Sequence, residues 1–299
     1  LGRCIMYWNL RMKKSVLCCI CMGLIFCLCL VMVSGGSVPA SVKTSAAADE
    51  DSVTLPIIMY HGMLRDPKMQ GEFVISPDLF ESDLRYITEH GYNTVVMQDI
   101  IDFVHKGTKL PENPIMITFD DGYYNNYIYA FPLLKKYDCK MVLSPIGYYT
   151  DQYSKTTDLS ATYSNATWDN LKEMLLSGYV ELQNHSYNLH ASSGSRLGTQ
   201  KKKTESDGAY QKILRDDLKK AQERFQDELG MKPDTFTYPF GAISKESLPI
   251  VKELGFKATL TCSAKLNTIT KGDTDCLYGL GRFKRSNKGT SAAFFHNIK

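Results

Sequence analysis

Ile115-Met116-Ile117-Thr118-Phe119-Asp120-Asp121-Gly122 decides how the rest of this chain reads. An apolar, β-branched run ends in two adjacent carboxylates and a glycine. Side chains alternate faces along a strand, so neighbouring aspartates at its end aim in different directions. One can ligate a cation while the other sits beside whatever that cation activates. Asp-Gly also marks ordinary hairpin turns. Here, though, Tyr123 to Tyr137 does not alternate: Ile128, Phe131, Leu133 and Leu134 suit a helix, with Pro132 early in it. A strand followed by a helix disfavours the hairpin.

Downstream, His185-Ser186-Tyr187-Asn188-Leu189-His190 supplies two imidazoles just after another apolar run. Their spacing does not share a helix face, which needs separations of three or four, so they would ligate from a loop. One carboxylate and two histidines make a mixed N/O site for a divalent cation with room for water. That is the arrangement expected of a metal hydrolase.

The chain has 299 residues, 43% hydrophobic and 22% charged, an ordinary globular composition with ample material for one domain. The net charge of +3 is small. No dense Lys/Arg stripe with interleaved aromatics appears, and Lys201-Lys202-Lys203 reads as a solvated loop, so no nucleic-acid partner is expected.

At the N-terminus, Arg11, Lys13 and Lys14 precede Val16 to Val33, an apolar run of 18 residues broken only by Gly23. A Ser/Gly/Ala-rich stretch ending Ala46-Ala47-Ala48 follows. A basic flank, an apolar segment and small residues make a secretory signal, and this run is nearly long enough to span a bilayer. Residues 1–48 are therefore expected to be a cleaved signal or a membrane anchor plus linker, with residues 49–299 exported as the catalytic domain. Membrane contact is expected only through that segment. Met12 fits a signal start better than Leu1. Six of the nine cysteines fall in this leader region, leaving Cys139, Cys262 and Cys276. That odd number excludes a disulfide scaffold, although Cys262 and Cys276 are candidates to pair.

Residues 34–54 read as a polar linker. Strand and helix signals then alternate. Strands are expected at Leu55–Tyr60, Asn93–Val96, Ile115–Phe119, Lys140–Ser144, Val180–Gln183, Phe236–Pro239, Lys257–Leu260 and Tyr278–Phe283. Helices are expected at Pro77–His90, Asp99–Lys106, Tyr124–Tyr137, Trp168–Leu176 and Ala209–Leu229. Segments 149–167 and 191–208 read as polar loops. This alternation predicts an α/β fold, a parallel barrel or a doubly wound sheet. In barrels the chemistry gathers at the C-terminal strand ends, where the acidic pair and the histidines fall.

Thr118-Phe119-Asp120-Asp121-Gly122, His185-Ser186 through His190, and Phe236-Thr237-Tyr238-Pro239-Phe240-Gly241 together resemble the three signatures of the polysaccharide deacetylases, the NodB-homology carbohydrate esterases. The resemblance runs from about Leu55 to Phe283. It implies a distorted (β/α) barrel, with Asp120 as general base and Asp121, His185 and His190 holding the metal.

The chain departs from that pattern in three places. Four residues separate the histidines where the commonest pattern has three. Thr237 stands where the third signature usually carries the arginine that steadies the base. No late apolar strand ends in histidine; the early run Ile57-Ile58-Met59-Tyr60-His61 does instead. This last feature resembles the circularly permuted branch of exported poly-N-acetylglucosamine deacetylases, in which the early histidine is the general acid. His61 takes that role here by resemblance, and a nearby carboxylate is expected to raise its pKa.

Such a site would hydrolyse N-acetyl groups of a polysaccharide outside the cytoplasm. Zinc is the default metal, with iron, cobalt, nickel or manganese compatible with the same ligands. The Phe240 N–H is the candidate oxyanion donor, and the side chains of Phe240, Tyr238 and Tyr123 are candidates for a wall against the sugar. Peptidoglycan, poly-N-acetylglucosamine, chitin fragments and acetylated xylan all fit; the permuted branch favours N-acetylglucosamine polymers of the envelope or matrix. Thr237 motivates one alternative, a carbohydrate-binding pseudoenzyme of the same fold. The ligand set is also that of facial-triad Fe(II) oxygenases, but those need an all-β pattern that this chain lacks.

Overall fold

A computed structural model describes residues 51–192 and 196–298. The apolar run Val16–Val33, its basic flank and the leader cysteines lie outside the described residues. Among those that are described, no helix is long and apolar enough to cross a membrane.

The chain opens with β1 (Ser52–Leu55), β2 (Ile57–Tyr60), β3 (Gly62–Met63) and β4 (Val74–Ile75). Then come α1 (Pro77–Glu89), β5 (Asn93–Thr94), α2 (Met97–Lys106) and β6 (Pro114–Asp121). A wide turn at Asn126–Ala130 leads into α3 (Phe131–Tyr137), followed by β7 (Met141–Pro145), α4 (Gly147–Tyr153), α5 (Trp168–Leu176) and β8 (Val180–Leu182). The rest is α6 (Asp207–Leu229), β9 (Thr235–Thr237), α7 (Ser247–Glu253), β10 (Ala258–Leu260), β11 (Asn267–Thr270), β12 (Phe283–Lys284) and α8 (Ser291–His296).

Local chemistry sets the helix ends. Ser76 accepts the Leu79 N–H at the start of α1, with Pro77 in the first turn where a missing N–H costs nothing. Thr167 and Asn170 cap α5 reciprocally. Ser206 caps α6, and Gly230 ends it in the left-handed conformation at φ +70°.

β2 lies parallel to β6, β6 to β7, and β7 to β8, while β12 flanks β2 on its other side. Past β8, Asn184 pairs in parallel with Phe236; β9 pairs with β10; Leu260 pairs with Leu280, just ahead of β12. The pairings thus run round a closed ring of seven parallel strands, β12, β2, β6, β7, β8, β9 and β10. At two joins a single bridge replaces a ladder. This is the distorted (β/α) barrel that the sequence predicts.

Strand alternation sorts the side chains. Ile58, Tyr60, Ile117, Phe119, Met141 and Leu143 pack outward with α1 and α3, alongside Phe80, Leu84 and Leu134. Ile57, Met116 and Val142 face the other way and form a second cluster with Leu260 and with Ile100, Ile101 and Val104 of α2, which closes one end. Each fully buried large apolar side chain contributes about 1.5–3 kcal/mol. At the opposite, C-terminal end of the strands, polar residues take over: Thr118, Asp120, Ser144, Thr237.

Several expectations need correcting. The end of the presumed linker is β1, which pairs antiparallel with β11, a strand that the sequence reading missed. Segment 149–167 begins inside α4. The expected strand Tyr278–Phe283 is reduced to one bridge at Leu280 and to β12. The expected helix Tyr124–Tyr137 starts as a wide turn, since Pro132 has no N–H for the Ile128 carbonyl. Cys139, Cys262 and Cys276 are all free. The Cys262 sulfur faces the Met59 sulfur at 3.9 Å and that of Cys276 faces the Thr270 carbonyl, so the two do not pair.

Candidate active site

β6 is buried along its whole length and delivers its two carboxylates at the mouth of the barrel. The chain turns sharply there: Asp121 has φ +68° and Gly122 φ +71°. At Gly122 a Cβ would lie 2.5 Å from that of Pro145, so β7 leaves room only for glycine. The unusual backbone at Asp121 swings its carboxylate away from that of Asp120.

Asp121, His185 and His190 converge, with one ligating atom from each lying within 4.8 Å of the others. The Asp121 Oδ1 is 3.1 Å from Nε2 of His190 and 3.5 Å from Nε2 of His185. It is buried and has no aligned hydrogen-bond donor. A buried carboxylate oxygen left this way costs free energy unless a cation takes it up. The Thr237 carbonyl accepts from Nδ1 of His185 at 2.8 Å, which leaves Nε2 as the lone-pair nitrogen facing Asp121. The three side chains suit a divalent ion in donor type, proximity and outer support.

Asp120 faces a different partner. Arg282, fully buried, donates Nη1 and Nη2 to its two oxygens at 2.6 and 2.8 Å. The Arg282 Nε donates to the Thr261 carbonyl at 2.9 Å, and Nη1 also reaches Thr118 Oγ1 at 3.2 Å. This guanidinium supplies the charge expected at the Thr237 position, where the short side chain instead meets Ser144 Oγ at 2.8 Å. The sequence reading missed Arg282. Its only trace is a cation in the stretch Tyr278-Gly279-Leu280-Gly281-Arg282-Phe283, where a strand was expected.

Burial alone would push both aspartates up. For Asp120 the Arg282 charge outweighs it, and for Asp121 His185 and His190 do, so both carboxyls sit below the usual range. His61 emerges from β2 with Nε2 3.8 Å from Asp120 Oδ2. Asn126 Nδ2 holds its carbonyl at 2.8 Å, and the exposed Phe73 ring packs edge-on at 5.0 Å. The expected upward shift of His61 is not found. Burial is the largest influence and, together with the Arg282 and His185 charges, outweighs Asp120 and Asp121, so its pKa is lowered.

Phe240 is 42% exposed, sits at φ +58° and lays its ring 4.5 Å from that of His190. The next two N–H groups, of Gly241 and Ala242, turn back onto the Tyr238 and Pro239 carbonyls. Tyr123 is half-buried; burial and then Asp121 hold its hydroxyl protonated far above the ordinary tyrosine range. Tyr238 must be withdrawn as a sugar contact. It is 1% exposed, packs on Phe236 at 4.7 Å and bonds Ser247 Oγ at 2.9 Å.

A sequence profile described as polysaccharide deacetylase matches residues 107–259, just over half of the chain. The chain belongs to the polysaccharide deacetylase family. The chain is 25% identical over 235 residues to the poly-beta-1,6-N-acetyl-D-glucosamine N-deacetylase of Escherichia coli K12, covering 73% of the chain but only 35% of that relative. With the Staphylococcus aureus enzyme of the same name it shares 25% over 202 residues, 67% of the chain and 65% of the relative. The chain therefore spans about a third of one relative and just under two thirds of the other. Among solved structures, a de-N-acetylase from Aggregatibacter actinomycetemcomitans aligns with TM-score 0.68 and 26% identity over 82% of this chain and 99% of its own. IcaB from Ammonifex degensii aligns with TM-score 0.64 and 25% identity over 78% and 92%. Both solved structures share the fold of this chain.

Proposed function

We propose that this deacetylase removes N-acetyl groups from an N-acetylglucosamine polymer outside the cytoplasm, with a divalent cation held by Asp121, His185 and His190. The observation that carries the reading is the division of labour at the end of β6. One carboxylate meets two imidazoles, and its neighbour is clamped by a buried guanidinium and stands beside a third imidazole.

A divalent cation bound there would acidify water and polarise an acetamide carbonyl. The other roles fall to the chain. Asp120, ionised and locked by Arg282, accepts a proton from the attacking water. The Phe240 N–H donates to the oxygen that gains charge as the carbonyl carbon becomes tetrahedral. When the C–N bond breaks, the electron pair goes to nitrogen, which needs a proton; His61 gives it. Burial favours the neutral ring at rest, so the proton taken by Asp120 at 3.8 Å supplies the imidazolium. The products are acetate and a free amino sugar. A binding-only protein has no use for a clamped base beside an acid, and with Arg282 in place Thr237 no longer motivates one.

Export is part of the proposal and rests on residues 1–48; protease added to intact cells should then digest the domain. Acetate release measured across poly-N-acetylglucosamine, chitin oligomers, peptidoglycan and acetylated xylan, each with defined metals, tests the activity. Release from the N-acetylglucosamine polymers that chelation abolishes and zinc restores is expected. No release from any of them would overturn the reading.

A further inference from the structure

Two histidines with four residues between them cannot be held by helix geometry, and among the described residues the chain between them forms neither helix nor strand. Something else must fix their separation. The Asp217 carboxylate, on α6, accepts the Tyr187 N–H on Oδ1 and the Asn188 N–H on Oδ2, both at 2.8 Å. One side chain thus holds two consecutive amides midway between His185 and His190. From these observations we infer that Asp217 is a positioning residue for the cation site: it pre-forms the loop that aims both imidazoles at Asp121. The inference rests on the ligand assignment proposed above.

The surroundings of the loop support this. Ser186 is held at φ +71°, a costly conformation for serine, with its N–H on Asn184 Oδ1 at 2.7 Å. The Ser186 and Tyr187 carbonyls accept from Gly147 and Tyr148 at the start of α4, at 3.1 and 2.8 Å. The Tyr187 hydroxyl donates to Asp151 at 3.0 Å while Lys220 lies 3.8 Å above its ring. Leu189 packs against the apolar cluster that contains Tyr210, Leu214 and Leu218 of the buried face of α6. Residues 186 to 189 are therefore tied down one after another, and His190 emerges where its ring centroid is 4.9 Å from that of His185. Without Asp217 the two central amides lose their acceptor and the loop regains freedom that cation binding would have to remove. Outer supports of this kind are typically worth about 10–100-fold in metal affinity.

The test measures zinc affinity of the full chain by competition with a chromophoric chelator, alongside the melting temperature of the metal-free protein. Asp217→Ala should weaken zinc binding about 10–100-fold. Asp217→Asn, isosteric and with one carbonyl acceptor left, should fall between it and wild type and guards against misfolding of the alanine variant. Asp216→Asn, next along the helix but exposed, should match wild type. A purely structural role would lower the metal-free melting temperature and leave zinc affinity unchanged, and that result overturns the inference. His190→Ala is measured in parallel. If it keeps wild-type affinity, the ligand assignment itself fails; if it strips zinc while both Asp217 variants bind normally, only the role of Asp217 is refuted.

Discussion

Arg282 carries the sharpest single-residue consequences. Arg282→Ala leaves the Asp120 charge buried without a partner, which costs about 3–5 kcal/mol of stability, so urea unfolding should shift far to lower denaturant. Arg282→Lys keeps the charge but loses the two-pronged contact; it should fold better than the alanine variant and still lose turnover, because the carboxylate is no longer held in one orientation. Wild-type acetate release from Arg282→Lys would show that orientation does not matter. Asp120→Asn is expected to keep bound metal while kcat falls by roughly 10²–10⁴-fold, with lost stability as well, since Arg282 then lacks its counter-charge. If Asp120→Asn loses metal and Asp121→Asn retains it, the two roles are reversed. His61→Ala should keep metal and lose far more turnover on an N-acetyl amide than on an aryl acetate, whose leaving group needs no proton; equal losses on both would make His61 structural. The groups in these experiments differ in how legible they were. Asp120, Asp121, His185 and His61 could be picked out because each stands just after an apolar run, the local mark of a strand end, and His190 because it completes a two-histidine motif with His185. Arg282 could not, because its meaning depends on ring closure, which brings it to a carboxylate more than 160 positions earlier. Tyr238 was misplaced for a related reason: its motif fixes the backbone of Phe240, but only packing against Phe236 reveals that the tyrosine ring points into the core.

At the scale of elements, β8 and α2 are joined by one titratable contact. Glu181 accepts the Met97 and Gln98 N–H groups at 3.1 and 2.9 Å, capping a helix distant in sequence. Burial pushes its pKa up to about 7 despite those amides. A carboxyl raised in the folded state binds its proton more tightly there than in the unfolded chain. Its stabilising contribution is therefore complete below about pH 4.5, the usual value for a glutamate, and is lost as the pH rises through 7. Melting temperature should fall over that interval, and Glu181→Gln should flatten the slope. A slope of unchanged size in Glu181→Gln would place its origin elsewhere. The central strands of the barrel were readable to within a few residues, because strands buried on both faces are near-continuous apolar runs. β1 and β11 were not: they are a polar antiparallel pair, rich in Ser and Thr, and only their partnership makes them strands. The wide turn before α3 was hidden as well. Periodicity reports the apolar face of a helix, whereas Pro132 alters which carbonyl each N–H can reach.

For the molecule as a whole, α8 braces the closed ring. Phe295 is fully buried and stacks on Tyr86 of α1 at 4.8 Å. Phe295→Ala should cost about 3–5 kcal/mol, read from urea unfolding, with acetate release per folded molecule unchanged; a loss of turnover in the folded fraction would instead link α8 to the site. The α/β class was readable from strand–helix alternation and the barrel from the family resemblance, but the order of strands around it was not, because β2 and β12 are neighbours only in space. That adjacency has a consequence for how the protein comes into being. Contacts between distant parts of a chain form late and slowly, and a growing polypeptide presents its residues in order. Asp121, His185 and His190 are all synthesised before position 282, so the proposed cation ligands exist while Asp120 still has no counter-ion. In an unclosed sheet that carboxylate stays hydrated or takes up a proton, and it cannot serve as a fixed base. On the proposed roles, the residues after β10 therefore encode the arming step, and a nascent chain halted there would have its ligands yet stay chemically silent.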